Sequence, residues 1–274
     1  QNAAIMAGGF TGAQQTATEE YDGSSWSSGG NLITARNGLA GSGTQNATLV
    51  NGGSTPTVVS CTEEYNGSSW SSGGARIFAI MQSNQGGSQN AAVSSGGLNP
   101  SVARVSCTEK YDGTSWSAGG ALIINRGGLA GTLNGTQNSF VSFGGSSPTL
   151  RASTEEFDGT TYTTQANLSI ARYQLGGAGN HHSGLAFGGS TPGYTNVTEE
   201  WTRPFIQPFT TNTNSTWAAG GNLIRPRGCL GGAGTINAGI AFGGYNGAAV
   251  YTTCTEEYDG SAWAEGGALA VGRY

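Results

Sequence analysis

One phrase recurs along the chain, and this repetition constrains the fold more than any other feature. The phrase reads TEEYDGSSWSSGG at residues 18–30, TEEYNGSSWSSGG at 62–74 and TEKYDGTSWSAGG at 108–120. Its first aromatic residue advances in steps of 44, 46, 46, 44 and 57, the six positions being Tyr21, Tyr65, Tyr111, Phe157, Trp201 and Tyr258. The sequence therefore consists of six units, and a period of this length indicates a repeat architecture.

The long final step has a local cause. In the first unit Trp26 follows Tyr21 by 5 residues, whereas Trp217 follows Trp201 by 16. The stretch RPFIQPFTTNT is therefore an insertion of 11 residues, near 202–212, and its removal restores a step of 46. We expect residues 1–274 to form one domain of six repeats of about 44–46 residues, and the sequence leaves open whether the chain is a piece of a longer protein.

Each unit reads as four short antiparallel strands. In the second unit the strands are NGLAGSG (37–43), TQNATLVNGG (44–53), VVSCTEEY (58–65) and SSWSS (68–72). The chain has 49 glycines and only 10% charged residues, a composition that suits short strands and tight turns. Four strands in a period of about 40–50 residues are typical of a β-propeller blade. The prediction is an all-β, six-bladed propeller whose two chain ends meet in one blade.

The residues at fixed places in the unit resemble the Kelch family of propellers. A Gly-Gly pair closes the second strand, an aromatic residue ends the third and a tryptophan lies in the fourth, at Trp26, Trp70, Trp116, Trp217 and Trp263. An arginine then precedes the next first strand, at Arg36, Arg126, Arg172, Arg227 and Arg273, with Ile80 in its place once. The resemblance covers essentially the whole chain and implies a six-bladed Kelch-like fold of four antiparallel strands per blade. The Tyr-to-Trp gap is shorter than in Kelch repeats, and a Glu-Glu pair replaces their apolar residues.

One glutamate of the phrase recurs in every unit. It stands at Glu19, Glu63, Glu109, Glu155, Glu199 and Glu256, whereas the next position also accepts Lys110. Because a half-buried carboxylate is costly without a partner, we predict that this glutamate accepts hydrogen bonds from the recurring arginine or from backbone N–H groups. The alternative is a solvated ring of acids.

The sequence predicts no catalytic residue, metal site or cofactor. Galactose oxidases, which are Kelch-like, hold copper with separated histidines, but this chain has only the adjacent pair His181 and His182. On a strand these would point to opposite faces, so we interpret them as polar residues of a turn between the first and second strands. YDGSSW resembles the Asp-box turn of sialidases, which is structural. A catalytic carboxylate usually differs from its surroundings, whereas the acids here resemble their copies.

Cysteines and charge restrict partners and environment. Cys61, Cys107 and Cys254 share one repeat position and Cys229 lies alone, so we predict four free thiols. The basic residues do not cluster and the net charge is −5, which argues against nucleic acid as a partner. No apolar run is long enough for a membrane helix. The first residues, QNAAIMAGGF, do not resemble a signal peptide, but they begin inside a repeat.

Variable loops are the candidate contact sites. The insertion carries Phe205 and Phe209, which we expect to dock on another protein or to fold back over their own blade. On the opposite face, Tyr194, Tyr245 and Asn246 lie in loops between second and third strands and are candidates for a carbohydrate-facing surface.

Three functions remain open. Near-identical units rich in Gly, Ser, Thr and Asn resemble Kelch-like propellers of marine bacteriophages, which implies a structural or adhesive protein of the virion, outside cells. Its partners would be other virion or appendage proteins, further copies of the chain, or a host surface glycan. The second hypothesis is a secreted or cell-surface bacterial propeller that binds glycans. The third, an enzyme related to galactose oxidases or sialidases, has the weakest support.

Overall fold

Antiparallel sheets follow one another around an axis in the computed structural model, which describes residues 3–204, 214–247 and 250–274. The strands of the first half lie in three blades. Blade 1 contains β1 (Ala4–Ala7), β2 (Thr18–Tyr21) and β3 (Trp26–Ser28); blade 2 contains β4 (Ala40–Thr44), β5 (Ala47–Asn51), β6 (Thr62–Tyr65) and β7 (Trp70–Ser72); blade 3 contains β8 (Asn84–Ser88), β9 (Ala91–Ser95), β10 (Thr108–Tyr111) and β11 (Trp116–Ala118).

The second half forms three further blades, two of which carry a small extra hairpin. Blade 4 contains β12 (Ala130–Gly131), β13 (Phe140–Phe143), β16 (Thr154–Phe157) and β17 (Tyr162–Gln165), with the hairpin β14 (Ser146–Ser147) and β15 (Thr149–Leu150). Blade 5 contains β18 (Gly176–Gly179), β19 (Ser183–Phe187), β22 (Thr198–Thr202) and β23 (Thr216–Ala219), with the hairpin β20 (Ser190–Thr191) and β21 (Gly193–Tyr194). Blade 6 contains β24 (Gly231–Thr235), β25 (Ala238–Phe242), β26 (Thr255–Tyr258) and β27 (Trp263–Glu265).

The predicted all-β propeller of six blades is confirmed. The first strands of blades 2–6 lie innermost, and each contacts the next one around the ring: β4 with β8, β8 with β12, β12 with β18, and β18 with β24. The ring continues to blade 1 through a contact of β24 with β1. In the described residues blades 2–6 have four strands each and blade 1 has three. The chain ends meet as predicted, since the N–H of Phe10 donates to the carbonyl of Tyr274 at 2.9 Å.

Each third strand contacts both neighbouring blades, because successive side chains point to opposite faces of a strand. In β2, Thr18 and Glu20 bond to Trp70 and Tyr65 of blade 2. The alternate residue Tyr21 bonds instead to Glu257 of blade 6. The repeated phrase is thus the set of side chains that joins one blade to the next.

The recurring glutamate is buried and paired, as predicted. Glu63 is 2% exposed, and it accepts a hydrogen bond from the N–H of Ile33 at 2.7 Å. Six ion pairs of 2.6–3.1 Å join this glutamate to an arginine of the linker that enters its blade: Arg36 with Glu63, Arg76 with Glu109, Arg126 with Glu155, Arg172 with Glu199, Arg227 with Glu256, and Arg273 with Glu19. The alternative of a solvated acidic ring is wrong for these residues.

The second glutamate of the phrase accepts a hydrogen bond from the tyrosine of the next blade. We call the interface between two neighbouring blades a seam. Four of the six seams have this bond, donated by Tyr65 to Glu20, Tyr111 to Glu64, Tyr258 to Glu200 and Tyr21 to Glu257. At the other two seams the aromatic residue has no hydroxyl, and the partner has changed with it. Where the aromatic residue is Phe157, Lys110 replaces the glutamate and donates to the side chain of Asn138 in blade 4. Where it is Trp201, Glu156 pairs instead with Arg203.

The tryptophans hold the outer parts of the blades together. In five seams the indole N–H donates to the phrase threonine of the preceding blade at 2.9–3.0 Å: Trp26 to Thr255, Trp70 to Thr18, Trp116 to Thr62, Trp217 to Thr154, and Trp263 to Thr198. In the remaining seam Tyr162 contacts Thr108 and Ser95. Buried indoles need such a partner, so the threonine and tryptophan recur together.

The Gly-Gly pairs allow a close approach between each blade and the next linker. Gly52 and Gly53 have φ of 63° and 93°, which side chains rarely adopt. A Cβ on Gly52 would lie 2.1 Å from the carbonyl oxygen of Ile80. Any other residue here would therefore separate the second strand from the linker that carries the arginine.

Candidate functional site

A cavity of about 930 Å³ runs along the propeller axis and contains the best candidate for a binding site. Its wall is made mainly of the first strands and of the residues just before them. The two ends differ in chemistry. One end, on the face of the linkers and of the loops between second and third strands, is lined by tyrosines, and we call it the tyrosine mouth. Its members are Tyr173, Tyr194, Tyr245, Tyr251 and Tyr274.

The rings of the tyrosine mouth contact one another in a row. The centroids of Tyr194 and Tyr245 are 5.5 Å apart, those of Tyr245 and Tyr251 5.8 Å, and those of Tyr251 and Tyr274 5.6 Å. Phe10 extends the row, 5.8 Å from Tyr274. Aromatic rings at these separations pack favourably and present apolar faces with polar hydroxyl tips. The row is therefore a surface suited to a partner with both apolar and hydroxyl groups.

Two glycines position Tyr194, which is the last residue of β21 and pairs with Ser190. A Cβ on Gly228 would lie 2.7 Å from the Tyr194 ring, and one on Gly247 would lie 3.0 Å from it. The ring thus fits between two backbone segments of blade 6. Burial raises the pKa of Tyr194 to about 12, so its hydroxyl stays protonated and can donate a hydrogen bond at neutral pH.

Below the mouth, backbone groups form what we call the axial belt, made of Gly38, Gln82, Gly128, Gln174 and Cys229. Each N–H donates to the carbonyl of the preceding member, at 2.7, 3.1, 2.7 and 2.8 Å in turn. All five residues have positive φ, including 54° for Gln82 and 55° for Gln174 and Cys229. Non-glycine residues rarely adopt this conformation, and such strain concentrates at functional sites.

The cavity wall is uncharged. None of the described lining residues is an acid or a base at neutral pH. Burial raises the pKa of the Cys229 thiol to about 12, so it stays protonated and lacks the thiolate that a nucleophile or metal ligand requires. Amide side chains from Gln82 and Gln174, backbone groups and tyrosines therefore provide the polar contacts. Such a wall suits a neutral polar ligand.

The far end of the cavity is crossed by the loop between β12 and β13. This loop is two residues longer than its counterpart in blade 2, since AGTLNGTQN (130–138) stands where blade 2 has AGSGTQN (40–46). Leu133 and Asn134 lie in the longer part. The carbonyl of Leu133 accepts from the N–H of Gly87 at 3.3 Å, and the Asn134 side chain donates to Gly234 at 2.8 Å. The loop thus joins blades 3, 4 and 6 across the axis.

The acids of the chain lie outside the cavity and all have partners. Of the 16 acidic residues, six form the buried ion pairs with linker arginines, and Glu20, Glu64, Glu200 and Glu257 bond to tyrosines. Glu156 and Glu265 pair with Arg203 and Arg225. The four remaining acids accept backbone N–H groups in the turn before the fourth strand: Asp22, Asp112, Asp158 and Asp259.

Sequence reasoning identified part of the mouth. It selected Tyr194 and Tyr245, which the fold brings together, and Asn246, which is exposed beside Tyr245. It missed Tyr173, Tyr251 and Tyr274, although Tyr173 and Tyr274 each directly follow a recurring arginine. Phe205 and Phe209 lie outside the described residues. The recurring Glu, Arg and Trp residues are structural partners between blades.

The two histidines lie next to each other in a turn at the edge of blade 5. They lie in the turn between β18 and β19, as interpreted, and their rings contact each other at 3.9 Å between centroids. The alternation of a strand does not apply to them, because they lie in a turn. Partial burial lowers the pKa of His181, and the neighbouring His182 and Arg203 lower it further. In the described chain, no three or more His, Cys, Asp or Glu residues are grouped to hold a metal ion.

All four cysteines are free thiols, as predicted. Cys61 illustrates the shared repeat position, since its carbonyl and sulfur both accept from Arg36, at 2.9 and 3.2 Å. Over the described ranges, no helix is long and apolar enough to cross a membrane.

The fold and the axial site define a six-bladed β-propeller with an uncharged, tyrosine-lined mouth. Among solved structures the chain is similar to YjhT, with a TM-score of 0.74, 14% sequence identity and coverage of 97% of each chain. At this identity the likeness concerns the fold. No protein-family model matches the sequence, and no curated protein does.

Proposed function

We propose that the chain is a non-catalytic structural or adhesive propeller that binds partners through the tyrosine mouth and the loops around it. The observation that carries this proposal is that the acidic residues lie away from the axial cavity. Every acidic side chain is engaged at a seam, in a turn or in an ion pair, while the axial cavity is aromatic and uncharged. Hydrolytic mechanisms generally use a carboxylate whose environment differs from that of its neighbours, and the recurring acids have equivalent environments.

The setting that suits this architecture best is the surface of a phage particle, as the sequence resemblance implies. A closed ring carries loops that can vary while the blades stay joined by buried bonds. Display in many copies would strengthen weak individual contacts through avidity. Partners would be other virion or appendage proteins, or a glycan of the host surface.

Mass spectrometry of purified particles tests the setting. We expect the chain among the particle proteins at a stoichiometry of several copies. Its absence from particles produced in cells that express it would contradict the virion role and leave the binding site to be tested separately.

Binding at the mouth is tested with purified protein. Tyr194→Ala and Tyr245→Ala should abolish binding to the partner or glycan that the unmodified chain captures. Ile123→Ala is a matched control, since Ile123 is 57% exposed on a linker of the same face and lies outside the cavity wall. Equal binding by all three variants would contradict the site, and turnover of a glycoside or sugar by the purified chain would contradict a non-catalytic role.

A secreted or cell-surface glycan-binding propeller is the second candidate, favoured by the same uncharged wall. Aromatic rings pack against sugar faces, and amides bond to hydroxyl groups, while an acidic sugar would lack a cation in this wall. On a glycan array we therefore expect neutral glycans to be bound in preference to sialylated ones. Preference for acidic glycans would contradict this reading of the cavity.

A further inference from the structure

The exposed apolar side chains of the propeller are confined to one face. This face is formed by the six linkers and the six loops between second and third strands, and we call it the linker face. In the described part of the chain, nine large apolar side chains are 39–58% exposed, and all lie there: Ile33, Ile77, Phe78, Ile123, Ile170, Ile224 and Val271 on linkers, and Val102 and Val250 on loops. Every linker thus presents at least one.

The linkers are held in the same way in every blade. At one linker position the backbone N–H donates to the recurring buried glutamate at 2.6–2.7 Å, the six donors being Ile33, Ile77, Ile123, Ser169, Ile224 and Ala270. Where this position holds Ser169 or Ala270, the next residue is the exposed Ile170 or Val271. The apolar side chains therefore form a ring around the tyrosine mouth, at equivalent places in the six blades.

The two faces of the propeller also differ in charge. The linkers and the loops between second and third strands contain no acidic residue, and besides buried arginines they carry Arg104, Arg151 and Arg225. Arg225 pairs with Glu265, at the end of β27. The turns of the opposite face carry Asp22, Asp112, Asp158 and Asp259. Although the net charge is −5, the apolar face has an excess of positive charge.

This excess comes from Arg104 and Arg151. The other eight arginines form ion pairs, and in the described structure these two do not. Arg104 donates to the carbonyl of Ser146 and Arg151 to the carbonyl of Ser147, both at 3.1 Å, so one hairpin holds both side chains. A guanidinium has five N–H donors, and those that remain suit the oxygens of a phosphate group.

These features together favour an anionic lipid surface over another protein surface. A second copy docked by the same face would bring arginine against arginine, and among the described residues its opposite face exposes no large apolar side chain. A lipid surface is uniform in its plane, so it can contact side chains spread around a whole ring. Such binding combines apolar contact with attraction between basic side chains and anionic headgroups.

We propose that the linker face docks on a membrane surface that contains anionic lipids, lying on it without spanning it. The exposed aliphatic side chains enter the boundary between headgroups and acyl chains, and Arg104 and Arg151 bond to lipid phosphates. The aspartates of the opposite face point away from the membrane. This docking goes beyond the proposed function and uses side chains outside the cavity wall, so the two can fail separately.

Co-sedimentation with vesicles tests the contribution of charge. We expect the chain to bind vesicles of equal parts phosphatidylglycerol and phosphatidylcholine, to bind phosphatidylcholine alone at least tenfold more weakly, and to be released by salt. The double variant Arg104→Gln, Arg151→Gln should lose at least tenfold in affinity, since each arginine near an anionic surface contributes about fivefold. Lys110→Gln is the matched control, because it removes a positive charge from the opposite face and should bind like the unmodified chain.

Two further variants separate lipid contact from a structural role. Ile77→Ser with Phe78→Ser removes two exposed apolar side chains and should weaken binding several-fold at an unchanged melting temperature. Arg104→Lys with Arg151→Lys keeps both charges and should retain most of the binding. Inorganic phosphate should not displace the vesicles, which distinguishes a lipid surface from a site for free phosphate.

Four outcomes would overturn the proposal. The first is absence of vesicle binding, or equal binding by the Arg104→Gln, Arg151→Gln variant. The second is a dimer that Ile77→Ser with Phe78→Ser dissociates, which would mean that a second copy covers the face. The third is binding to soluble polyglutamate in preference to vesicles, as expected for an acidic protein partner. The fourth is vesicle binding by residues 1–274 that a longer form of the protein lacks, which would mean that its own further residues cover the face.

Discussion

Arg76 and Glu109 form an ion pair of 2.9 Å although Arg76 occupies the repeat position of Leu32. In blade 2 the linker has Leu32 and Arg36, both buried; in blade 3 the same two places hold Arg76 and Ile80, also buried. The arginine and the apolar residue have exchanged positions four residues apart. Arg76 also lies over the Trp116 ring, 5.5 Å from its centroid. The buried glutamate thus requires an arginine close to it, and either of the two linker positions can provide that arginine.

This exchange predicts the behaviour of a double variant. Arg76→Leu alone leaves Glu109 buried without its cation, which we expect to cost about 3–5 kcal/mol of unfolding free energy. Adding Ile80→Arg rebuilds the arrangement of the other linkers and should recover most of that loss. Urea denaturation of the three proteins measures both effects. If the double variant is as unstable as the single one, the two positions are not equivalent.

The fold could be predicted from the sequence, whereas the exchange of the arginine and the apolar residue between positions 76 and 80 could not. Spacing predicted six units because each unit must bury its apolar face against the next, and this leaves a periodic signal. The pairing of the recurring glutamate also followed, since a carboxylate at a packed seam needs a partner. Ile80 was visible as an exception, but Arg76 could not be assigned to Glu109, because its distance in space depends on how the linker crosses the blade.

The buried pairs should contribute far more to stability than an exposed one. Glu63→Gln removes the charge opposite Arg36 and should lower the unfolding free energy by several kcal/mol. Glu265→Gln breaks a pair whose side chains are 59% and 64% exposed, and should change it by about 1 kcal/mol or less. Thermal melting of the two variants compares them directly. Equal, small shifts would mean that the seams do not depend on the ion pairs.

The seam between blades 3 and 4 can be converted to the common type. Lys110→Glu and Phe157→Tyr together recreate the glutamate and tyrosine found at four other seams. Either change alone leaves a new polar group without its partner. We therefore expect a favourable coupling of about 1 kcal/mol in a double-mutant cycle. Additive effects would indicate that the hydroxyl and carboxylate do not meet in the variant.

The tyrosine seams should make the protein sensitive to alkali. Burial and the hydrogen bond to a glutamate raise the pKa of Tyr21, Tyr111 and Tyr258 to about 12. In the unfolded chain tyrosine loses its proton near pH 10, so above that pH unfolding releases protons. Stability should therefore be unaffected by these groups below about pH 10 and decline from there towards pH 12.

Denaturant midpoints between pH 8 and 11.5 measure this decline. The double variant Tyr111→Phe with Glu64→Gln removes one seam bond and should decline less steeply. An unchanged slope would show that other groups cause the alkaline loss.

The site was harder to predict than the seams. Tyr194 and Tyr245 could be selected because they lie in variable loops, but the axial belt and the loop at Asn134 leave little trace in the sequence. The belt depends on backbone conformation, since Gln82, Gln174 and Cys229 occupy a place where other units have glycine. The Asn134 loop differs from its copies by only two residues, and its contacts across the axis depend on ring closure.

The matched donors and acceptors of the phrase also bear on how such a gene can change. A unit carries a Trp and a Tyr that donate to the unit before it, and a Thr and a Glu that accept from the unit after it. A copy made by internal duplication or recombination would thus find complementary groups on both sides at most places in the ring. The seams of Phe157 and Trp201 are the places where a transplanted unit would not match, so these two boundaries should resist shuffling that the others tolerate.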